Sequence, residues 1–223
     1  MEQAKTAIIL GATGLTGGIL LDKLIRDDRY RKIKVFGRNH VSQKSEKIEE
    51  YLIDLFELEK LQELFTGDEV FCCIGTTKSK TPDKELYRQI DFGIPATAAI
   101  LAKRNGISTF MVISALGADE DSNIFYNKVK GEMEGAVLEQ KITNTYILQP
   151  SLIAGNRAEN RLMESIFINL MKFGNHLLIG GLKKYRSIEP EEIANAMRYL
   201  ANHQYKSGRI ESDKIKTLSN SSE

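Results

Sequence analysis

Ala7-Ile8-Ile9-Leu10, followed at once by Gly11-Ala12-Thr13-Gly14-Leu15-Thr16-Gly17 and then by Leu20, Leu21, Leu24 and Ile25, decides how this chain folds. Four apolar residues make a buried strand. The apolar positions after the glycines recur at helical spacing. The stretch therefore reads as strand, glycine turn, helix. Gly11 permits the tight turn, Gly14 lets backbone approach a pyrophosphate, and Gly17 lets the helix lie close on the strand. Free N–H groups and the positive end of the helix dipole then point at whatever sits over the turn, which makes it an anion site. A glycine triplet alone is an ordinary turn. Its place directly between a first strand and a helix points to a nucleotide, with Thr13, Leu15 and Thr16 on the same turn.

Outward from this unit, strand-like and helix-like segments alternate. Ile33–Phe36, Ile48–Leu55 (with Asp54 near its end), Val70–Ile74, Phe110–Ser114 and Thr145–Leu148 read as strands. Helical spacing covers Glu57–Phe65, Leu86–Asn105 and Tyr126–Gln140. Pro95 falls inside the second of these, so its regular part is expected to begin near Asp91. Nearly continuous apolar strands alternating with helices predict an α/β fold, a doubly wound parallel sheet covered on both faces.

After Pro150 the pattern changes. An apolar helix over Leu162–Phe173 and a glycine-flanked stretch, Leu177–Leu182, suggest a small C-terminal cap within residues 151–187, on a single domain spanning 1–223. Glu189-Pro190-Glu191-Glu192 opens another helix, Gly208–Glu211 suits an edge strand, and the polar tail from Lys214 is expected to fray. The chain has 223 residues, 42% of them apolar, which is ample for one core. A formal net charge of +1 gives no electrostatic case for nucleic acid or a membrane surface as partner. No apolar run is long enough to span a bilayer, and the first strand follows the N-terminus directly, so a cytoplasmic protein is expected. Cys72 and Cys73 are neighbours in a strand, point to opposite faces and read as core thiols. Two cysteines and three histidines show no metal-ligand spacing.

Gly37-Arg38-Asn39 closes the second strand. An acid there would bond an adenosine ribose 2′-hydroxyl and repel a 2′-phosphate. Arg38 instead suits bidentate contact with phosphate and argues for NADP(H) over NAD(H). Asp54-Leu55 would lie near the adenine. Ile74-Gly75-Thr76 leaves the fourth strand with the glycine needed for close approach to a nucleotide. Tyr126 and Lys130, four apart, share a helix face. Tyr30 and Lys34 have the same spacing, so spacing decides nothing. Placement does, since Tyr126 follows the strand that ends in Ser114.

With that placement the chain resembles a short-chain dehydrogenase/reductase. Within that superfamily it resembles compact atypical members, the Tat-interacting-protein oxidoreductase family and NAD-dependent epimerase/dehydratase-like proteins. The stretches that carry the resemblance are the glycine turn, Gly37-Arg38, Asp54-Leu55, Cys72 to Thr77, Ser114 to Asp119, Ser122-Asn123 leading to Tyr126 and Lys130, and Gln149-Pro150-Ser151. It implies a Rossmann fold, a cofactor site that includes Lys130 and Pro150, and a catalytic set of Ser114, Tyr126 and Lys130. Tyr126 would exchange a proton with a substrate oxygen, Ser114 would orient that oxygen, and Lys130 would hold the nicotinamide ribose. The Lys130 ammonium would favour the charged tyrosine, whose ordinary value is about 10, and a drop of about three units is worth roughly 4 kcal/mol. The implied activity is an NADP-dependent carbonyl reductase acting on a small molecule. A nucleotide-sugar epimerase or dehydratase and a non-catalytic NADP(H) sensor stand as alternatives, and homo-oligomerisation is open. The chain departs from many relatives, which carry an asparagine in the helix before the fifth strand, in having Asp91 in the comparable region with Pro95 following, and in its short C-terminal region.

Overall fold

The structure, a computed structural model, describes residues 4–154 and 180–221. Its strands are β1 (Lys5–Leu10), β2 (Tyr30–Gly37), β3 (Ile48–Leu52), β4 (Glu69–Cys72), β5 (Thr109–Ile113), β6 (Asn144–Gln149) and β7 (Gly208–Glu211). They form one sheet in the order β3-β2-β1-β4-β5-β6-β7, every neighbouring pair parallel. This is the doubly wound α/β sheet that the strand–helix alternation implies. The order reverses between β1 and β4, the switch point beyond whose carboxyl ends sheets of this kind form their ligand crevice.

Alternate residues of each strand feed two cores. Ala7, Ile9, Phe71 and Met111 pack under α1 (Leu15–Ile25) and α5 (Pro190–Asn202). Ile8, Leu10, Val70, Phe110 and Val112 pack under α3 (Ile94–Arg104) and α4 (Phe125–Glu139). Ile8 and Ile9 are both fully buried on opposite faces. Each such side chain contributes about 1.5–3 kcal/mol by leaving water. Cys72 and Cys73 divide between the two cores in the same way.

The structure departs from the sequence reading in several places. The third strand stops at Leu52, because Asp54 accepts a hydrogen bond from the Phe56 N–H and starts a 3-10 turn over Leu55–Leu61. The helical segment before β5 begins earlier than Asp91. Asp83 caps α2 (Lys84–Arg88), and a π-helical turn, Gln89–Gly93, runs into α3. Pro95 stands at the start of α3, directly after the π-helical turn. The tail expected to fray forms α6 (Ser212–Asn220), since Ile215 and Leu218 share a face and bury it on the first core. The expected helix over Leu162–Phe173 lies outside the described residues, as does most of the Leu177–Leu182 stretch.

Candidate functional site

Gly11 leaves β1 with φ +84°, and a Cβ there would lie 2.8 Å from the Cys73 carbonyl oxygen at the end of β4. A Cβ on Gly17 would lie 2.2 Å from the Gly11 carbonyl oxygen. Both positions therefore require glycine, and the turn is drawn tight against the helix. Thr13, Gly14 and Leu15 are exposed, while Thr16 and Gly17 are buried. No side chain caps α1 and its first turn holds no acid. Its N–H groups thus open onto the crevice, a ready place for phosphate.

Arg38 follows β2 and is exposed at the same end of the sheet, next to the turn after β1. Asp54 caps the 3-10 turn, with Leu55 buried behind it. Gly75 is exposed, and Ile74 and Thr76 are half-buried beside it. Pro150 is buried at the end of β6, where its carbonyl accepts from the Leu116 N–H at 2.8 Å.

Tyr126 and Lys130 stand on one face of α4, but their surroundings differ. Tyr126 is 40% exposed. Lys130 is buried, with its Nζ 2.8 Å from Asp91 Oδ1 and 3.4 Å from the Ile113 carbonyl oxygen. The second Asp91 oxygen accepts from the Thr76 N–H at 2.8 Å. A Cβ added at Gly75 would come within 3.8 Å of Lys130 Nζ. The ammonium thus sits under the glycine that leaves β4. The one hydrogen bond it makes among the described residues goes to Ile113, which leaves N–H groups for a ligand there.

Ser114 lies at the end of β5 and donates to Glu134 Oε1 at 2.5 Å. Glu134, fully buried one turn beyond Lys130 on α4, also accepts from Gln149 Nε2 at 2.9 Å and from Arg209 Nε at 2.5 Å. The hydroxyl proton of Ser114 is therefore committed inward. Glu134 is two turns from Tyr126, about 12 Å along the helix.

Three residues here were not singled out as site residues from sequence: Asp91, Glu134 and Tyr87. Glu134 did leave a signal, an acid that continues the Tyr126–Lys130 row by four residues, beside the stripe where Val129, Met133 and Val137 pack on the sheet. Tyr87 on α2 is buried and meets the Tyr126 ring edge-on at 6.2 Å between centroids. Among the described residues no cluster of three or more histidine, cysteine or acidic side chains is placed to hold a metal ion. None of the described helices is long and apolar enough to cross a membrane.

The chain is similar to known proteins in sequence and in fold. A family model described as NAD(P)H-binding matches residues 11–161. Protein HTATIP2 of Rattus norvegicus is 32% identical over 163 residues, 71% of this chain and 67% of its own. Protein FMP52-2, mitochondrial, of Scheffersomyces stipitis is 33% identical over 182 residues, 78% of this chain and 79% of its own. Protein FMP52, mitochondrial, of Debaryomyces hansenii is 30% identical over 202 residues, 88% of each chain. These names overturn the cytoplasmic expectation, which had rested on a missing apolar segment and not on any positive signal.

Among solved structures, the Bordetella bronchiseptica enzyme WbmH in complex with NAD+ superposes with a TM-score of 0.70 at 13% identity, covering 97% of this chain and 79% of that one. The Helicobacter pylori ADP-L-glycero-D-manno-heptose-6-epimerase gives 0.68 at 15%, covering 99% and 84%. At such identities the likeness is one of fold, and it is the Rossmann fold that the glycine turn implies. The turn after β1, the strand order and the similarity to HTATIP2 and FMP52 proteins agree, and the chain belongs to the NAD(P)H-binding family, with an oxidoreductase-like domain built for a nicotinamide cofactor.

Proposed function

We propose that this protein is an NADP(H)-dependent oxidoreductase of carbonyl reductase type, which moves a hydride between the nicotinamide and a small carbonyl or alcohol substrate. The observation that carries the reading is the Lys130 ammonium. It is buried, fixed by Asp91, and placed under Gly75 on the helix face that also presents the accessible Tyr126.

The tight turn at Gly11, the uncapped start of α1 and the absence of an acid after β2 all fit a phosphorylated dinucleotide. The N–H groups of Thr13, Leu15 and Thr16 would hold the pyrophosphate, while that of Gly14 closes the turn on the Gly11 carbonyl, and the Arg38 guanidinium would hold the 2′-phosphate. Asp54, Leu55 and Ile74 would flank the adenine, with Thr76 and Pro150 walling the nicotinamide side. When bound, the nicotinamide supplies or accepts the hydride. Lys130 would hold the ribose with an N–H that is not given to Ile113. Tyr126 gives its hydroxyl proton to the carbonyl oxygen as the alcohol forms, and takes it back in the reverse direction. Ser114 gives its proton to Glu134, so toward an alcohol hydroxyl it would act as an acceptor that orients it.

Titration with NADPH and NADH, followed by nicotinamide fluorescence, tests the cofactor assignment. Arg38→Ala should weaken NADPH by about tenfold or more and leave NADH nearly unchanged, because a charge-assisted hydrogen-bonded pair is lost. A panel of small carbonyls then tests turnover, with Tyr126→Phe expected to be inactive while still binding NADPH. Equal weakening of both nucleotides would remove the NADP preference. Failure of the wild-type protein to bind either would remove the reading.

A further inference from the structure

Asp91 and Lys130 form a buried ion pair, and hydride transfer between a nicotinamide and a carbonyl does not by itself call for the acid. The Asp91 side chain is completely buried, in the π-helical turn Gln89–Gly93, and its two oxygens reach different elements. Oδ1 lies 2.8 Å from Lys130 Nζ on α4, and Oδ2 accepts from the Thr76 N–H at 2.8 Å. Such turns recur at functional sites. Charges this far from water are felt strongly by whatever lies beside them, and removing either would leave an uncompensated buried ion.

The pair lies beneath the segment that leaves β4. A Cβ at Gly75 would come within 3.6 Å of Asp91 Oδ1 and 3.8 Å of Lys130 Nζ. Gly75 is itself exposed and adds no side chain over the pair. Neighbouring charges are answered elsewhere, Arg88 by Glu132 and Arg209 by Glu134. Lys78 and Lys80 on the following loop are exposed, where water and salt screen them. Where Lys130 holds the nicotinamide ribose, the charge of the pair acts on the ring joined to that ribose. The ring is positive when oxidised and neutral when reduced. A lone ammonium beneath it would repel the oxidised form, and the Asp91 carboxylate offsets that repulsion.

We propose that Asp91 sets the balance between oxidised and reduced cofactor: its carboxylate offsets the Lys130 charge, so the site accepts the positive ring of NADP+ alongside the neutral ring of NADPH. The inference rests on the oxidoreductase reading of the site and adds that the alcohol-oxidising direction is open to it. It gives Asp91 no part in proton or hydride transfer, since the carboxylate acts through its charge.

The test is the ratio of the NADP+ to the NADPH dissociation constant in a cycle of four proteins, with NADPH followed by its fluorescence and NADP+ by displacement of it. Contributions common to both nucleotides, the ribose hydrogen bond among them, cancel in the ratio. Asp91→Asn leaves the ammonium alone and should raise the ratio by about tenfold. Lys130→Met leaves the carboxylate alone and should lower it. The double variant has no net charge at the pair, as in the parent, and should return the ratio close to the parent value. Asp91→Asn should melt below the parent, and the double variant above Asp91→Asn, because it strands no buried ion. If Asp91→Asn does not fold, the step from Lys130→Met to the double variant carries the test, since loss of the carboxylate should raise the ratio there too. A ratio that is the same across the cycle overturns the proposal and leaves the oxidoreductase reading standing. A ratio that rises in Asp91→Asn and stays high in the double variant also overturns it, because shape and not charge would then be responsible. A parent protein that binds neither nucleotide removes the oxidoreductase reading, and this inference with it.

Discussion

At the start of β4, Glu69 is 2% exposed, and Lys5 Nζ lies 3.2 Å from its Oε1 at an angle outside hydrogen-bond geometry. Burial pushes the carboxyl up from 4.5 to about 7, with Lys5 and Tyr30 opposing. Between these values the folded chain holds a proton that the unfolded chain releases. The stability linked to Glu69 is therefore full below about 4.5 and is lost as pH rises through about 7. Glu69→Gln should remove that slope and raise stability at pH 8 by about 1–3 kcal/mol. Lys5 would keep the Ala201 carbonyl, 2.6 Å from its Nζ. Urea unfolding of both proteins at pH 5 and pH 8 decides it, and an equal pH dependence in the two would refute it. Such residues are hard to read from a chain. Arg38, Tyr126 and Lys130 could be picked out because each stands at a known distance from a strand end. Glu69 and Tyr87 owe their character to burial by segments far away in sequence. Asp91 could be noticed as a departure, but its bond to Lys130 spans two helices.

Among the elements, α4 does more than present Tyr126 and Lys130. Glu134, on the same helix, accepts from Ser114 after β5, from Gln149 at the end of β6 and from Arg209 on β7. One buried carboxylate thus ties the helix to three neighbouring strands. Glu134→Ala strands these donors and should cost about 3–5 kcal/mol, measured by denaturant unfolding. Ser114→Ala removes one of the bonds and should cost about 1–3 kcal/mol. The two roles open to Ser114 separate here. If it orients substrate, its loss lowers kcat/KM beyond any effect on folding; if it only completes the Glu134 network, melting falls and kcat/KM holds. The sequence placed α4 and β5 well because their apolar periods are unambiguous. It missed α6, whose two buried apolar residues, Ile215 and Leu218, are too few to stand out in a polar tail.

For the whole molecule, the alternation of strand and helix implies a doubly wound parallel sheet, while its order, with the switch point between β1 and β4, is known from the structure. A dinucleotide laid across that switch point would touch the turn after β1 on one side and the Ile74–Thr76 segment after β4 on the other. It would bridge the two halves of the sheet in the folded state alone. Binding at a hundredfold excess over Kd then stabilises by about 2.7 kcal/mol. In a chain of this size that corresponds to a rise in Tm of about 5–10 °C. Gly17→Ala should abolish most of the rise, because the new methyl group, 2.2 Å from the Gly11 carbonyl oxygen, must push the turn away from α1 and spoil its N–H array. The same substitution lowers the unliganded Tm, so the informative quantity is the increment produced by NADPH in each protein, taken from melts over a range of nucleotide concentrations. An increment in Gly17→Ala equal to that of the parent would mean that the phosphates are held somewhere other than the turn. The strand–glycine–helix unit would then shape the sheet without gripping the ligand.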